Sequence, residues 1–266
     1  MGIVEVIVIY LALGAAAGVL AGLFGIGGGL IIVPVLILTF AWQGFDPAIT
    51  AHLAVGTSLA TIVFTALSSV RSHHQAGAVR WELFRPMVVG ILIGAALGAG
   101  TAASLSGENL QRVIGIFVIL VGLKMLADWN PGARSQAPGR VGLIGAGGGI
   151  GWASAIFGIG GGTLTVPFLT WCGVRAQQAV ATSAACGLPI AISGTLTYMS
   201  IGWTREGLPE YSLGFVYGPA VLGVALLSVP FAGVGARLAH RLSEVLLKRL
   251  FAVLLLLIGA RFLLSA

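Results

Sequence analysis

The chain has 266 residues, of which 58% are hydrophobic and 8% charged, with a net charge of +6 and a mean hydropathy of +1.04. A soluble domain carries roughly 25% charged residues, so this composition excludes a soluble enzyme or binding module and defines an integral membrane protein. The positive balance fits basic residues gathered in cytoplasmic loops, and no basic run or stacking platform points to a nucleic-acid partner.

Apolar runs fall at 3–23, 29–41, 49–70, 84–105 and 110–127, then at 141–157, 162–172, 178–200, 213–234 and 246–264. The first has no basic segment ahead of it and reads as a retained membrane segment. A full crossing takes about 20 residues, so the second run of each half reads as a half-helix or as a tilted, incomplete span. Residues 128–140, rich in proline, glycine and polar side chains, read as a cytoplasmic linker between two transmembrane repeats, 1–127 and 141–266. Cys172 and Cys186 lack metal-ligand spacing and read as buried free thiols.

The halves repeat one another. Gly25-Ile26-Gly27-Gly28-Gly29 recurs as Gly158-Ile159-Gly160-Gly161-Gly162, each followed at the same distance by a proline, Pro34 and Pro167. Ala54-Val55-Gly56-Thr57-Ser58 matches Ala179-Val180-Ala181-Thr182-Ser183, and the stretch from Arg112 to Lys124 matches that from Arg249 to Arg261. Three matches in the same order, at offsets of 133, 125 and 137 residues, establish a duplication.

Basic residues give the relative orientation. If each short run returns the chain to the side it came from, eleven of the 14 basic residues face the cytoplasm and only Arg112, Arg205 and Arg261 face out, with five of the eight acids. Parallel repeats would split the basic residues eight to six. The expectation is therefore an all-α polytopic membrane protein of two inverted repeats. Each is a glycine-interrupted helix and half-helix hairpin followed by three transmembrane helices.

Four glycines in five residues disfavour continuous helix, since each costs about 1 kcal/mol against alanine. Interrupted backbone at membrane depth survives where it is buried in protein or lines a wet cavity, and paired interruptions point to a transporter's substrate site. A helix restarting there aims unpaired N–H groups and the positive end of its dipole at the break, which suits an anion. The predicted substrate ligands are Gly27, Gly28 and Gly29 with Gly160, Gly161 and Gly162, joined by the hydroxyls of Thr57, Ser58, Thr182 and Ser183. Close helix packing through glycine, and interhelical or local backbone bonding by the hydroxyls, are the alternative readings. Pro34 and Pro167 read as structural or gating bends, and Pro189 as a kink.

No Asp or Glu lies in the middle of an apolar run, and His52, at the start of one, reads as interfacial. No catalytic, metal or nucleotide motif occurs, so neither an enzyme nor a cofactor is expected. At a potential of about 100 mV, inside negative, outward movement of one negative charge gains about 2.3 kcal/mol, so anion export needs no coupling ion.

The segments Gly22-Leu-Phe-Gly-Ile-Gly-Gly-Gly-Leu-Ile-Ile-Val-Pro34 and Phe157-Gly-Ile-Gly-Gly-Gly-Thr-Leu-Thr-Val-Pro167 resemble the sulfite exporter TauE/SafE family of bacterial membrane permeases. The Thr-Ser pairs, Gly77-Ala-Val-Arg-Trp81 and Gly235-Ala-Arg-Leu-Ala-His240 extend the resemblance over nearly the whole chain. It implies a multi-pass protein of the bacterial inner membrane that moves a small sulfur-containing anion, sulfite or an organosulfonate, usually outward. Proton- or sodium-coupled uptake and a non-transporting scaffold or accessory subunit stand as alternatives. Oligomeric state is not legible.

Overall fold

The computed structural model describes residues 3–24, 29–127, 138–239 and 244–265. They form helices α1 (Ile3–Phe24), α2 (Gly29–Trp42), α3 (Pro47–Gln75), α4 (Trp81–Ala103) and α5 (Gly107–Ala127), then α6 (Arg140–Phe157), α7 (Gly162–Trp171), α8 (Ala176–Gly202), α9 (Gly218–Ala239) and α10 (Glu244–Ser265). Most of the proposed linker, 128–137, lies outside the described residues. Among the described residues α3, α4, α5 and α8 are each long and apolar enough to cross a membrane. Their outer faces carry exposed Phe64, Leu67, Ile93, Leu97, Leu120 and Leu196. Soluble monomers rarely expose contiguous apolar patches of this kind, and lipid is the solvent such faces require.

Local chemistry sets the helix ends. Asp46 accepts the Ala48 N–H (2.9 Å) at the start of α3, and Pro47 occupies its first turn, where a missing donor costs nothing. One expected run begins late. The segment 213–234 is apolar from its start, yet α9 opens only at Gly218, because Tyr211 and Gly214 take left-handed backbone angles that no helix accepts. Residues 203–217 instead form an inlaid segment whose Phe215 N–H reaches the carbonyl of Tyr198 (3.2 Å).

The halves interlock. The fourth helix of each half packs on the first helix of the other, α4 on α6 and α9 on α1, while α3 pairs with α8 and α5 with α10. Glycines bring these backbones together: a Cβ at Gly94 would lie 2.1 Å from the carbonyl oxygen of Gly148. The same contacts give direction. Gly90 faces Ile144 and Gly148 while Gly98 faces Trp152, so α4 and α6 run parallel. Gly56 meets Tyr198 and Gly194 meets Leu59, so α3 and α8 run antiparallel. Gly115 meets Gly259 and Gly122 meets Ala252, so α5 and α10 do too. Helices that are equivalent by sequence therefore run in opposite directions.

The pair α1 and α2 is a hairpin. The end of α2 returns to α1, where Phe40 stacks on Phe45, Tyr10 and Tyr217 meet these rings edge-on, and Gln43 donates to the Tyr10 hydroxyl (2.7 Å). One end of the bundle thus gathers Asp46, Glu108 and Arg205 around one cavity. The other end holds Arg80 beside Gln178 at the start of α8.

Candidate functional site

The second helix break is resolved residue by residue. After Phe157 the chain turns at Gly158, whose left-handed backbone (φ 63°, ψ 31°) lets its N–H and that of Ile159 both reach the Ser154 carbonyl. A side chain at Gly158 would be strained by that angle and would meet Val33 at 2.6 Å. The chain restarts as α7 at Gly162 with no side-chain cap, and the bond from Thr165 N–H to Gly161 (2.8 Å) falls in its first turn. The N–H groups of Gly162, Thr163 and Leu164 therefore have no acceptor within the helix, and the positive end of the dipole faces the break.

The start of α2 meets the second break. A Cβ on Gly29, the first residue of α2, would lie 2.9 Å from both the Gly158 oxygen and the Ile159 Cα. Ser58 Oγ donates to the same Gly158 oxygen (2.8 Å). Gly161 is seated against the Ser183 carbonyl and Gly187, with 2.4 Å from a built Cβ to the former. Gly29, Ser58, Gly160, Gly161, Gly162 and Ser183 thus belong to one buried neighbourhood. Gly27 and Gly28 lie outside the described residues.

Thr57 and Thr182 have different partners from those expected of substrate ligands. Thr57 Oγ1 accepts the Tyr217 N–H (3.0 Å), just before α9, and Thr182 Oγ1 accepts the Arg80 N–H (2.9 Å), just before α4. Each repeat's threonine clasps the other repeat's chain, at opposite ends of the bundle. Ser183 Oγ bonds within its own helix, to Val180 (2.8 Å). In this conformation the two serines donate to backbone carbonyls, while the two threonines accept backbone N–H groups. Pro34 and Pro167 lie inside α2 and α7, where each removes one helical hydrogen bond.

Three further hydroxyls flank the break. Ser154 and Thr165 are both 0% exposed. With Thr163, their side-chain oxygens are buried and have no hydrogen-bond partner among the described residues. A buried, unmade hydrogen bond costs about 1–3 kcal/mol, so each of these hydroxyls, flanking the uncapped start of α7, keeps hydrogen-bonding capacity to offer. They were hidden from the sequence reading by its reliance on symmetry. Their counterparts in the first repeat, at the offset of 133, are Ala21, Leu30 and Ile32. These three unpartnered hydroxyls all belong to the second repeat.

Two expectations concern single residues. Cys172 and Cys186 are both buried and neither is in a disulfide, as expected. His52 is 5% exposed, because α4 ends against it and Phe215 stacks on its ring (centroids 5.2 Å apart).

Lipid-facing helices packed around the start of α2 and the break before α7 define the class, a polytopic membrane protein. The sequence profile of the sulfite exporter TauE/SafE family matches residues 10–262. The chain belongs to that family. A probable membrane transporter protein of Haemophilus influenzae is 36% identical over 258 residues, covering 95% of this chain and 96% of its own. Similar proteins described in the same words occur in Methanocaldococcus jannaschii (25% over 253 residues, 92% and 91% covered) and in Bacillus subtilis (28% over 276 residues, 96% of each). No solved structure matches the chain.

Proposed function

We propose that the protein is a permease that exports a small anion, sulfite or an organosulfonate, across the bacterial inner membrane. The anion is held where the start of α2 meets the second helix break. The observation that carries this reading is the uncapped start of α7 beside the unpartnered oxygens of Ser154, Thr163 and Thr165. N–H and O–H donors without a fixed cation suit a ligand that must be both held and released. The family description supplies the sulfur; the residues themselves say only small anion.

The repeats are inverted across the membrane, a reading supported by the antiparallel runs of α3 against α8 and α5 against α10. The end with Asp46, Glu108 and Arg205 faces outward, and the end with Arg80 faces the cytoplasm, as the distribution of basic residues requires. Repeats 1–127 and 141–266 are sequence units joined by the linker 128–140, and they interlock through exchanged helix pairs. Outward movement of the anion then runs down the membrane potential.

Thermal unfolding of the purified protein with sulfite, sulfoacetate, taurine, sulfate or chloride tests the site. A ligand of the native state at 100 times its Kd stabilises by about 2.7 kcal/mol. Sulfite or a sulfonate is expected to raise the melting temperature more than chloride does, and Thr165→Val to diminish the shift. If no anion stabilises the protein, or if Thr165→Val retains the whole shift, the anion site is not at this break.

A further inference from the structure

Where the halves interlock, a finer repeat is built into the chain. Gly77-Ala78-Val79-Arg80, just before α4, matches Gly214-Phe215-Val216-Tyr217, just before α9, at the offset of 137 residues. Gly77 and Gly214 both take left-handed backbone (φ 65° and 56°), which turns each tetrapeptide back onto the third helix of its own repeat. There Ala78 donates its N–H to the carbonyl of His73, and Phe215 its N–H to that of Tyr198, both at 3.2 Å. His73 and Tyr198 are themselves equivalent, at the offset of 125. The fourth residue of each tetrapeptide is clasped by the other repeat's threonine, Arg80 by Thr182 and Tyr217 by Thr57. Val79 packs with Ala181 and Ala185, and Val216 with Ala60. Ala60 and Ala185 are equivalent as well.

One device is thus built twice, at opposite ends of the bundle. The break between α6 and α7 lies between its copies. It touches α3 one residue beyond Thr57, where Ser58 donates to the Gly158 carbonyl (2.8 Å). It touches α8 one residue beyond Thr182, where the Ser183 carbonyl faces Gly161. Because α3 and α8 run antiparallel, one residue beyond each clasp leads toward the middle of the bundle from its own end.

The copies differ in how much apolar surface they bury. Phe215 is 6% exposed, and Tyr217 is buried against Tyr10, Phe40 and Phe45. In the other copy the same positions are Ala78 and Arg80, both half-buried. Arg80 pairs with the exposed Glu82, a surface contact that adds little, and the neighbouring Trp81 is only half-buried. Burial of a phenylalanine side chain shifts an equilibrium by roughly tenfold or more. We propose that the two tetrapeptides are gates on either side of the break, opening one at a time, and that the gate with Ala78 opens more readily than the gate with Phe215. Inverted repeats suit such exchange, since each half can take up the arrangement of the other. Gating rests on the transport reading and deepens it: with the Arg80 end cytoplasmic, the site at rest loads from the side an exported anion comes from.

The experiment sets a reporter under each gate, Ala60→Cys or Ala185→Cys, in protein whose native thiols are removed (Cys172→Ala, Cys186→Ala). A water-soluble maleimide is added to the protein in nanodiscs, and labelling is followed by intact mass, with thermal unfolding confirming that each variant is folded. Ala185→Cys is expected to label faster than Ala60→Cys. Phe215→Ala should accelerate labelling of Ala60→Cys roughly tenfold or more, with Phe215→Leu, which keeps an apolar side chain, in between. Ala78→Phe should slow labelling of Ala185→Cys. With both reporters in one chain, each molecule should take up a single label, because a label wedged under one gate keeps the other shut. Two labels per molecule, or none, overturns opening one at a time. Labelling of Ala60→Cys as fast as that of Ala185→Cys, or no acceleration by either Phe215 variant, overturns the bias. Anion flux in proteoliposomes is measured beside it: single labelling without flux overturns the transport reading and leaves the gates, whereas flux with double labelling does the reverse.

Discussion

Removing a hydroxyl from Thr165 separates a ligand from a packing residue. Its Oγ1 is buried without a partner, so in the empty protein it carries an unmade hydrogen bond worth about 1–3 kcal/mol. Thr165→Val deletes that oxygen at nearly constant volume, and the substituted protein should be as stable as the parent or about 1 kcal/mol more so. If the hydroxyl donates to a bound anion, the same change removes a hydrogen bond to a charged group, worth about 1.5–3 kcal/mol. Apparent affinity should then weaken roughly 10- to 100-fold. The assay pairs thermal unfolding in detergent with the concentration dependence of anion efflux. Ser154→Ala should behave the same way. Unimpaired stability with affinity unchanged to within about twofold would refute the assignment of these hydroxyls to the site. A large loss of stability would refute the reading that they have no structural partner.

Thr57→Val leaves the buried Tyr217 N–H without its acceptor and should destabilise by about 1–3 kcal/mol, with Thr57→Ser recovering most of the loss; chemical or thermal unfolding measures both. Gly56→Ala brings a methyl to 2.1 Å from a backbone oxygen and should sharply reduce the yield of folded protein on size-exclusion chromatography. Gly100→Ala, into open space within helix α4, should be neutral or stabilising by up to about 1 kcal/mol. Single cysteines test the inverted arrangement, with the native thiols buried. A membrane-impermeant maleimide should label Glu206→Cys in intact spheroplasts and His73→Cys only after permeabilisation, and the reverse pattern would turn the protein over.

The fold was legible wherever a residue's meaning is local. Glycine weakens a helix wherever it sits, so the break between α6 and α7 and the short helices α2 and α7 could be placed from two short motifs, and basic residues counted by loop implied the antiparallel arrangement that α3 and α8 display. Partnership was not legible. Thr57 and Thr182 stood out because they repeat, but their acceptor role depends on how the other half folds across them. Ser154, Thr163 and Thr165 were passed over because only one half has them. The late start of α9 depends on the left-handed backbone at Tyr211 and Gly214, which an apolar run does not reveal. The burial of His52 follows from where α4 ends, not from its place in α3.

Anion efflux from proteoliposomes at a clamped potential tests the central claim most directly. Sulfite, sulfoacetate, taurine, sulfate and chloride are each loaded inside, with parent protein and Thr165→Val compared at equal incorporation. Potential-driven movement of sulfite or a sulfonate without a proton or sodium gradient, reduced in the variant, is the predicted result. Movement only with an imposed proton or sodium gradient, or no movement of any of these anions at either polarity, would contradict it.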